Sequence, residues 1–390
     1  MDIRMEHTDQ RRQGQNQSGP ERGPRILFFS GGTALRDTSG ELIRSTHNSI
    51  HLVTPFDSGG SSAVIRRAFH MPAVGDIRNR LMALADQTAP GGPEIFALFT
   101  HRLAKDRDQA ELLRELESMA EGEHPLIRHI PDPMRTIILV HFHRFLAAMP
   151  PDFDLKGASL GNLVLTAGYL SNRRRIDPAI EIFSRLARVR GVVRPILGQD
   201  LHLAARLEDG RVVVGQHLLT GKEADPLASP VQDVWLTASQ DSPEPVTPSI
   251  SAETEKLIAG ADLICFPPGS FYTSIVANLL PRGVGRAVAA APCPKVFVPN
   301  TAADPENLDL GVAAQARVLA ETLRRSGAPA DRAVLTAVLI DSKNGPYPNA
   351  VDQAALVDQG LEVVDRPLVS PESAPLADPR LLAEALLSLS

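Results

Sequence analysis

A carboxylate, two glycines and three hydroxyls come just before a helical pattern that begins near Ala63. They form the run Asp57-Ser58-Gly59-Gly60-Ser61-Ser62. A helix N-terminus carries partial positive charge and N–H donors that no helical carbonyl accepts, so it suits a phosphate. Asp57 repels a bare phosphate, but it suits a bound Mg²⁺ or a ribose hydroxyl, and it is also a candidate catalytic base. The alternative is a turn that only caps the helix.

A second stretch places one acid, two arginines and an amide within six positions. It reads Gly75-Asp76-Ile77-Arg78-Asn79-Arg80. If Asp76 caps a helix, Arg78 and Asn79 lie in its first turn, where the guanidinium offers a planar fork to phosphate oxygens. We therefore expect Arg78 and Asn79 to bind an anion, with Asp76 as the second candidate base. The alternative is a capped helix with exposed basic residues.

Two further glycine turns follow apolar runs. They are Ser30-Gly31-Gly32-Thr33 and Gly269-Ser270-Phe271-Tyr272-Thr273-Ser274, the second opening a helix predicted to reach Leu280. Neither is a Walker A motif, and no G-x-S-x-G elbow occurs. Since ligands bind beyond the carboxyl ends of parallel strands, we expect all four turns to converge on one anion site. Its expected ligand contacts are Gly31, Gly32, Thr33, Ser58, Gly59, Gly60, Ser61, Ser62, Gly75, Arg78, Asn79, Gly269, Ser270, Thr273 and Ser274.

The elements that position these turns follow an alternating pattern of strand, glycine turn and helix. Short apolar runs bounded by turn residues are typical of buried strands, and their alternation with helical stretches is typical of a parallel sheet. The predicted fold is α/β, a Rossmann-like parallel sheet with crossover helices, plus a helical insertion and a small β-rich excursion. The predicted strands are 26–29, 50–54, 261–266, 295–298, 334–340 and 361–364.

The same pattern divides the chain. Residues 25–100 and 255–390 are predicted to form the Rossmann-like core, and residues 101–254 an insertion that contributes to the ligand cleft. Within the insertion we expect helices at 111–119, 136–149 and 160–170, β-rich runs at 192–214 and a long surface loop at 220–250. The polar segment 1–24 is expected to be a disordered tail.

Composition narrows the function classes. The 390 residues carry a formal net charge of −6, which argues against a broad nucleic-acid surface. No apolar run reaches the roughly 20 residues that span a bilayer, and the N-terminus has no hydrophobic signal region, so we expect a cytoplasmic protein without membrane contact. The two cysteines exclude a disulfide framework or a thiolate metal cage. A homodimer is expected only as the commonest soluble assembly.

His141 and His143 lie two residues apart in Val140-His141-Phe142-His143. A spacing of two residues points both rings to one face of a strand but to different sides of a helix. The surrounding pattern is helical, so we do not expect a metal site here.

Taken in order, these motifs resemble the CofD/YvcK superfamily, which includes 2-phospho-L-lactate transferases and gluconeogenesis factors. The resemblance extends from residue 25 to about residue 366. It rests on SGGTALRD (30–37), DSGGSSAVIRRAF (57–69), GDIRNRLMALAD (75–86), KGASLGNLVLTA (156–167), ADLICFPPGSFYTSIVANLLPRGV (261–284) and LIDSKNG (339–345). It implies a phosphorylated, nucleotide-like ligand, and it adds Asn162 to the expected ligand contacts.

The motifs around residues 156–162 and 269–280 look more like the YvcK branch, whose members bind UDP-sugars. The acid pair that the family has before its GGSS turn appears here as Phe56-Asp57, so one acid is missing. Two functions follow from the resemblance. One is a ligand-sensing regulator that binds a nucleotide sugar without turnover. The other is a transferase that moves a phosphoacyl group from a nucleoside-diphosphate donor to a hydroxyl, with Asp57 holding Mg²⁺ or either acid acting as base. An NAD(P)-dependent oxidoreductase ranks last, because no strand-ending acid follows the first glycine turn in the required context.

Overall fold

The computed structural model describes residues 19–221, 225, 227–308 and 310–390. It contains a seven-stranded parallel sheet and a four-stranded antiparallel sheet. The strands are β1 (Ile26–Ser30), β2 (Ile50–Val53), β3 (Val192–Pro195), β4 (His202–Leu207), β5 (Val212–Val214), β6 (Val231–Thr237), β7 (Pro245–Val246), β8 (Leu263–Phe266), β9 (Lys295–Phe297), β10 (Ala337–Ile340) and β11 (Glu362–Asp365). The predicted α/β fold is confirmed, including its small β-rich excursion.

The strand order of the parallel sheet is β11-β10-β9-β8-β1-β2-β3. From β1 the chain adds β2 on one side, whereas β8 pairs with β1 on the other side. The order therefore reverses between β1 and β8. In open parallel sheets, ligands bind in the crevice at such a switch point.

Helices flank and connect these strands. They are α1 (Arg36–Leu42), α2 (Gly60–Phe69), α3 (Gly75–Ala83), α4 (Gly92–Thr100), α5 (Gln109–Ala120), α6 (Pro125–Arg128), α7 (Met134–Ala148), α8 (Leu160–Ser171), α9 (Ile176–Leu186), α10 (Ala252–Ala259), a π-helix (Phe271–Val276) that continues as α11 (Ala277–Leu279), α12 (Val284–Ala290), α13 (Val312–Arg325), α14 (Gln353–Asp358) and α15 (Pro379–Ser388). The predicted helices of the insertion are present as α5, α7 and α8.

The chain forms two compact units. The first, called the sheet unit, contains both sheets and consists of the described residues up to Thr54, Gly191–Leu197 and the described residues from Leu201 to Ser390. The second, called the helical unit, consists of Pro55–Arg190 and Gly198–Asp200. The predicted division into a core and a 101–254 insertion uses other boundaries, and as a statement about domains it stays a prediction.

Each unit has its own core. In the sheet unit, alternate residues of β1, β8, β9 and β10 share one buried cluster with residues of α1 and α15, including Leu42 and Leu386. This is the period of two that a strand imposes on its side chains. In the helical unit, Phe145 packs against Phe69 and Phe153 with ring centroids 5.8 and 5.4 Å apart.

Three details differ from the sequence predictions. Residues 231–237 and 245–246 of the predicted surface loop form β6 and β7, because residues of β6 such as Val234 and Leu236 are buried against β4. Strand β3, predicted within the β-rich excursion, is the edge of the parallel sheet. Residues 1–18 of the predicted tail lie outside the described residues. Residues 20–22 form a 3₁₀ turn, fixed by Asn48 Nδ2, which donates to the Glu21 and Gly23 carbonyls at 2.8 Å.

Candidate functional site

Two of the predicted glycine turns lie side by side at the switch point of the sheet unit. The first follows Ser30 at the end of β1, and the second follows Phe266 at the end of β8. A Cβ added to Gly269 would lie 3.6 Å from the Ala34 Cβ, so the two turns are in contact. Buried Asn278 donates from Nδ2 to the carbonyls of Ser30 (3.1 Å) and Ser274 (2.7 Å) and thereby joins them. This arrangement is the one expected for adjacent parallel strands.

The helix after the second turn has its N–H groups occupied by the protein's own acids. Asp304 Oδ2 accepts from Phe271 N at 2.8 Å, and Glu306 Oε2 accepts from Tyr272 N at 2.9 Å and Thr273 N at 2.8 Å. The Thr273 hydroxyl donates to Glu306 Oε1 at 2.5 Å. The loop after β9 contains both acids. Their carboxylates therefore occupy the N–H groups that were predicted to bind a phosphate.

Glu306 is 1% exposed, and its environment is unusual for an acid. Burial, reinforced by the nearby negative charge of Asp304, raises the pKa of Glu306 to about 7, although its hydrogen bonds from Thr273 and Tyr272 act in the opposite direction. Thr273 is also fully buried, so here it binds Glu306 and not a ligand. Gly269, Ser270 and Ser274 remain as the predicted contacts of this turn.

In the helical unit, the start of α2 is shaped by glycines. Gly60 has φ +47°, a conformation that glycine adopts without strain, and Gly59 is the N-cap residue with no side chain to cap the helix. Asp57 Oδ1 accepts from Gly59 N at 3.0 Å. A Cβ at Gly75 would lie 2.5 Å from Ser62 Oγ and 3.4 Å from Asp57 Oδ2. The GGSS and GDIRN stretches therefore meet at the start of α2, as predicted for neighbours in one site.

A chain of polar side chains crosses the start of α2. Arg78 Nε donates to Asn162 Oδ1 at 3.3 Å, and Asn162 Nδ2 donates to Ser61 Oγ at 3.2 Å. Arg102 Nη1 donates to the same Ser61 Oγ at 3.3 Å and to the Gly157 carbonyl at 3.1 Å. Arg78 and Asn162 are buried, whereas Arg102 is exposed. Two guanidinium groups thus lie beside one helix N-terminus.

Close packing explains the glycine before Asn162. A Cβ at Gly161 would lie 2.6 Å from the Phe99 carbonyl and 2.9 Å from Arg78 Cγ. Only glycine lets α8 approach this closely, which places Asn162 beside Arg78. Arg102 was not predicted, because its HRL surroundings carry no turn or motif signal.

A second unpredicted residue, Arg66, holds the turn that carries Asp57. Its Nη1 donates to the carbonyls of Phe56 and Asp57, both at 3.1 Å. Its Nε and Nη2 donate to Asp200 Oδ1 at 3.0 and 2.7 Å. Arg66 is buried, so Asp200 fixes its orientation and Arg66 fixes the backbone at Asp57. No sequence pattern predicts that Arg66 and Asp200 pair, because they are 134 residues apart in the chain.

Asp76 does not cap a helix, contrary to the prediction. Helix α3 starts one residue earlier, at Gly75, with Val74 at the N-cap, so Asp76 lies inside the first turn. Residues four apart are neighbours on a helix surface. Arg80 is completely buried, which lowers its pKa to about 10, and the negative charge of Asp76 opposes that shift. Asp76 therefore acts as a charge partner of Arg80, and its role as a catalytic base stays a prediction. Asn79 is half-buried on the same helix.

The predicted residues are thus divided between the two units, and the convergence of all four turns stays a prediction. The sheet unit holds Gly31, Gly32, Thr33, Gly269, Ser270, Thr273 and Ser274. The helical unit holds Asp57, Ser58, Gly59, Gly60, Ser61, Ser62, Gly75, Asp76, Arg78, Asn79 and Asn162.

Neither metal clusters nor membrane spans occur in the described part of the chain. No group of three or more His, Cys, Asp or Glu side chains there could hold a metal ion. His141 and His143 lie on α7, as predicted, and His141 Nδ1 is 2.7 Å from the Ile137 carbonyl. No helix among the described residues has both the length and the apolar character needed to cross a bilayer.

Comparisons with known proteins agree with the motifs. A family model described as 2-phospho-L-lactate transferase CofD matches residues 26–369. A gluconeogenesis factor of Bacillus subtilis is 32% identical over 72% of this chain and 69% of its own length. One of Listeria monocytogenes is 30% identical over 72% of this chain and 67% of its own. A crystal structure of a UPF0052 family protein from Bacillus halodurans superposes with a TM-score of 0.68, at 22% identity, over 94% of this chain and 99% of that one.

Proposed function

Because the chain belongs to the CofD family, we propose that it binds a nucleoside-diphosphate-linked small molecule and acts as a ligand-sensing metabolic regulator. The ligand is a UDP-sugar or an NDP-phosphoacyl compound. The observation that supports this best is a series of side-chain hydrogen bonds at the N-terminus of α2. It runs from Arg78 through Asn162 and Ser61 to Arg102.

The hydrogen-bonded side chains at the start of α2 have the chemistry to bind a diphosphate. A helix N-terminus offers N–H donors and partial positive charge to one phosphate. Arg78 approaches from the buried side and Arg102 from the exposed side. Because guanidinium groups bind phosphate oxygens with strong, directional hydrogen bonds, this arrangement favours two linked phosphates over a single carboxylate. Gly31 and Gly269 belong to the sheet unit, and their contact with the ligand stays a prediction.

Magnesium fits this site only as an ion shared with the ligand. Mg²⁺ in phosphate sites is held by one or two carboxylates, with phosphate oxygens and waters as its other ligands. Asp57 supplies one carboxylate, and its Oδ1 already accepts from Gly59 N. We propose that Asp57 Oδ2 contacts Mg²⁺ when a diphosphate is bound. The ion would neutralise phosphate charge that Asp57 alone repels.

The regulator role is favoured over catalysis by the single acid before the GGSS turn and by the gluconeogenesis factors among the relatives. The second candidate is a phosphoacyl transferase, which the description of the family model supports. In that reaction the acceptor oxygen forms a bond to phosphorus, a nucleoside monophosphate leaves, and Asp57 or Asp76 takes the hydroxyl proton.

The deciding experiment measures binding and turnover together. Calorimetry with UDP, GDP and UDP-glucose, with and without Mg²⁺, gives affinities, and ³¹P NMR of the same mixtures with an alcohol acceptor detects any nucleoside monophosphate. Binding without turnover supports the regulator, whereas released monophosphate supports the transferase. If no nucleotide binds, the proposed function is wrong.

Variants locate the site. Arg78→Ala should weaken nucleotide binding by about 1.5–3 kcal/mol, the usual cost of a lost charge-assisted contact. The matched control is Arg114→Ala, which removes an exposed arginine of α5 and should leave the affinity unchanged. Asp57→Asn should abolish the effect of Mg²⁺ on affinity. An Mg²⁺ effect that survives this change would remove Asp57 as the metal ligand.

A further inference from the structure

A groove of about 740 Å³ lies in the sheet unit, between strand β6 and helix α13. Four consecutive residues of β6, Val231 to Val234, form one side of it. The residues of α13 and the π-helix that line it are Tyr272, Val276, Val318, Glu321, Arg324 and Arg325. Since successive side chains of a strand point to opposite faces of the sheet, four lining residues in a row mean that the groove runs along the edge of β6.

This edge of β6 is only partly paired. On the side away from β4, strand β7 pairs with Leu236 and Thr237 alone. Among the described residues, no strand lies beside the part of that edge before Leu236. Gln232 also has no partner residue in β4, because the register shifts at this point. An unpaired edge offers its N–H and C=O groups to another extended chain.

One N–H group on the open side is covered by a side chain. Because Pro245 has no N–H to donate, β7 bonds to Leu236, and residues two apart point their backbone groups to the same side. The N–H of Val234 therefore points to the open side. It donates to Asp233 Oδ1 at 2.9 Å, and the same oxygen accepts from Arg325 Nη1 at 2.7 Å. A peptide carbonyl can replace this carboxylate, which keeps Arg325 as its partner when it turns away.

The shape of the groove selects a single extended chain. Because α13 forms the opposite wall, the open edge of β6 is recessed. One strand fits between the two walls, whereas the edge of a second folded copy would bring its neighbouring strands against α13. Leu310 and Val318 are half-buried and offer apolar contacts to the single strand.

The charges of the groove favour an acidic strand. Its lining includes three arginines and two acids. Arg325 is paired with Asp233 at 2.7 Å. Arg206 is exposed, lies 5.8 Å from the centroid of the Trp235 ring and forms no ion pair with the described residues. A carboxylate on the bound strand is the partner that Arg206 lacks.

We propose that this groove docks one extended, acidic segment of a partner protein, which adds to β6 as a further strand. A backbone carbonyl of the segment accepts from Val234 N once the Asp233 side chain has turned away. Its apolar side chains contact Leu310 and Val318, and a carboxylate pairs with Arg206. Peptides add to exposed sheet edges in this way in several recognition domains. The docking site is independent of the nucleotide binding proposed above.

Selection from a random decapeptide library tests the proposal. The library is displayed on phage, the full chain is the bait, and the selected peptides are labelled and titrated by fluorescence anisotropy. Val318→Trp fills the groove and should weaken their binding about 10-fold or more. The matched control is Arg317→Trp, which changes an exposed neighbour on α13 outside the groove and should bind the peptides as wild type does.

Two charge variants test the chemistry of the partner. Arg206→Glu makes an attractive pair repulsive and should weaken binding about 3–10-fold, whereas Arg211→Glu, in the exposed turn between β4 and β5, should not. Asp233→Ala uncovers Val234 N and removes a like charge, so it should strengthen binding. If Arg206→Glu binds the selected peptides as tightly as wild type, or Asp233→Ala binds them more weakly, the acidic strand is wrong.

Hydrogen exchange measured by mass spectrometry tests the strand addition. A bound peptide should slow exchange in residues 231–235 and leave β5, at the other edge of the same sheet, unchanged. Unchanged exchange in residues 231–235, equal binding by Val318→Trp, or a library without any binder would each overturn the proposal. A wild-type dimer that Val318→Trp dissociates in light scattering would assign the groove to a second copy instead. No nucleotide is present, so every outcome leaves the proposed function standing.

Discussion

Two helix N-termini in this protein look alike in sequence and differ in the side chains that surround them. The helix α2 follows Gly59-Gly60-Ser61-Ser62, and the π-helix Phe271–Val276 follows Gly269-Ser270. Both have glycine and hydroxyl residues after a strand. At α2, arginine and amide side chains gather around Ser61. At the π-helix, Asp304 and Glu306 accept hydrogen bonds from the first N–H groups.

The difference shows that a glycine-rich helix start does not by itself determine which groups will surround its N–H donors. The π-helix satisfies its donors with carboxylates of the same chain. The start of α2 is surrounded by cationic and neutral hydrogen-bond donors, and such donors suit a phosphate that is not part of the protein. Substitutions around the π-helix should therefore act on stability, and substitutions around the start of α2 should act on ligand binding.

The largest expected effect is the loss of Glu306. Glu306→Ala leaves two N–H groups and the Thr273 hydroxyl without their acceptor. Since each buried unsatisfied donor costs about 1–3 kcal/mol, the free energy of unfolding should fall by about 3–5 kcal/mol in denaturant titrations. Asp57→Ala, the matched change at α2, should cost about 1 kcal/mol or less. If both variants lost the same free energy of unfolding, the proposed difference between the π-helix and α2 would be wrong.

The next effect is a dependence of stability on pH. The pKa of Glu306 rises from 4.5 to about 7 on folding, so the folded state holds this proton more tightly than the unfolded state. This contribution is full below about pH 4.5, where it amounts to about 3 kcal/mol, and it is lost as the pH rises through about 7. Glu306→Gln should flatten the dependence, measured by denaturant unfolding at about pH 5 and pH 8. A variant with the same pH dependence as wild type would show that another group titrates.

A smaller effect is expected at the contact between α2 and α3. Gly75→Ala places a Cβ 2.5 Å from Ser62 Oγ and should destabilise by about 1–2 kcal/mol. Adding Ser62→Ala should restore most of that loss. Gly40→Ala is the control: its Cβ meets no atom within 4 Å, so alanine should be neutral or should stabilise α1. Thermal unfolding measures all four proteins.

The smallest effect concerns Arg102. Because this side chain is exposed, solvent and salt screen its charge, and Arg102→Ala should weaken nucleotide binding by about 0.5–1 kcal/mol at low salt. The loss should shrink at high ionic strength, whereas the loss in Arg78→Ala, which is buried, should persist. Calorimetry at two salt concentrations measures this. A salt-independent loss in Arg102→Ala would place Arg102 in a desolvated contact.

Much of the fold could be predicted because it depends on local patterns. Short apolar runs gave the parallel strands, and the Gly-Gly-Ser-Ser and Gly-Asp-Ile-Arg-Asn stretches marked helix starts at α2 and α3. The strand β6 was missed, since Pro, Ser and Asp on both sides of 231–237 predict a loop. Its pairing with β4 buries Val234 and Leu236, and that gain exists only in the folded sheet.

The sequence by itself determined that this is an α/β protein of the CofD family with polar glycine turns at its strand ends. Only the tertiary structure decided which turn is closed by the chain's own acids. Glu306 lies 33 residues from Thr273, and Arg66 lies 134 residues from Asp200. A helix N-terminus attracts any nearby anion through its dipole and its N–H groups, and the chain alone does not say which anion will be near. That depends on how distant segments pack.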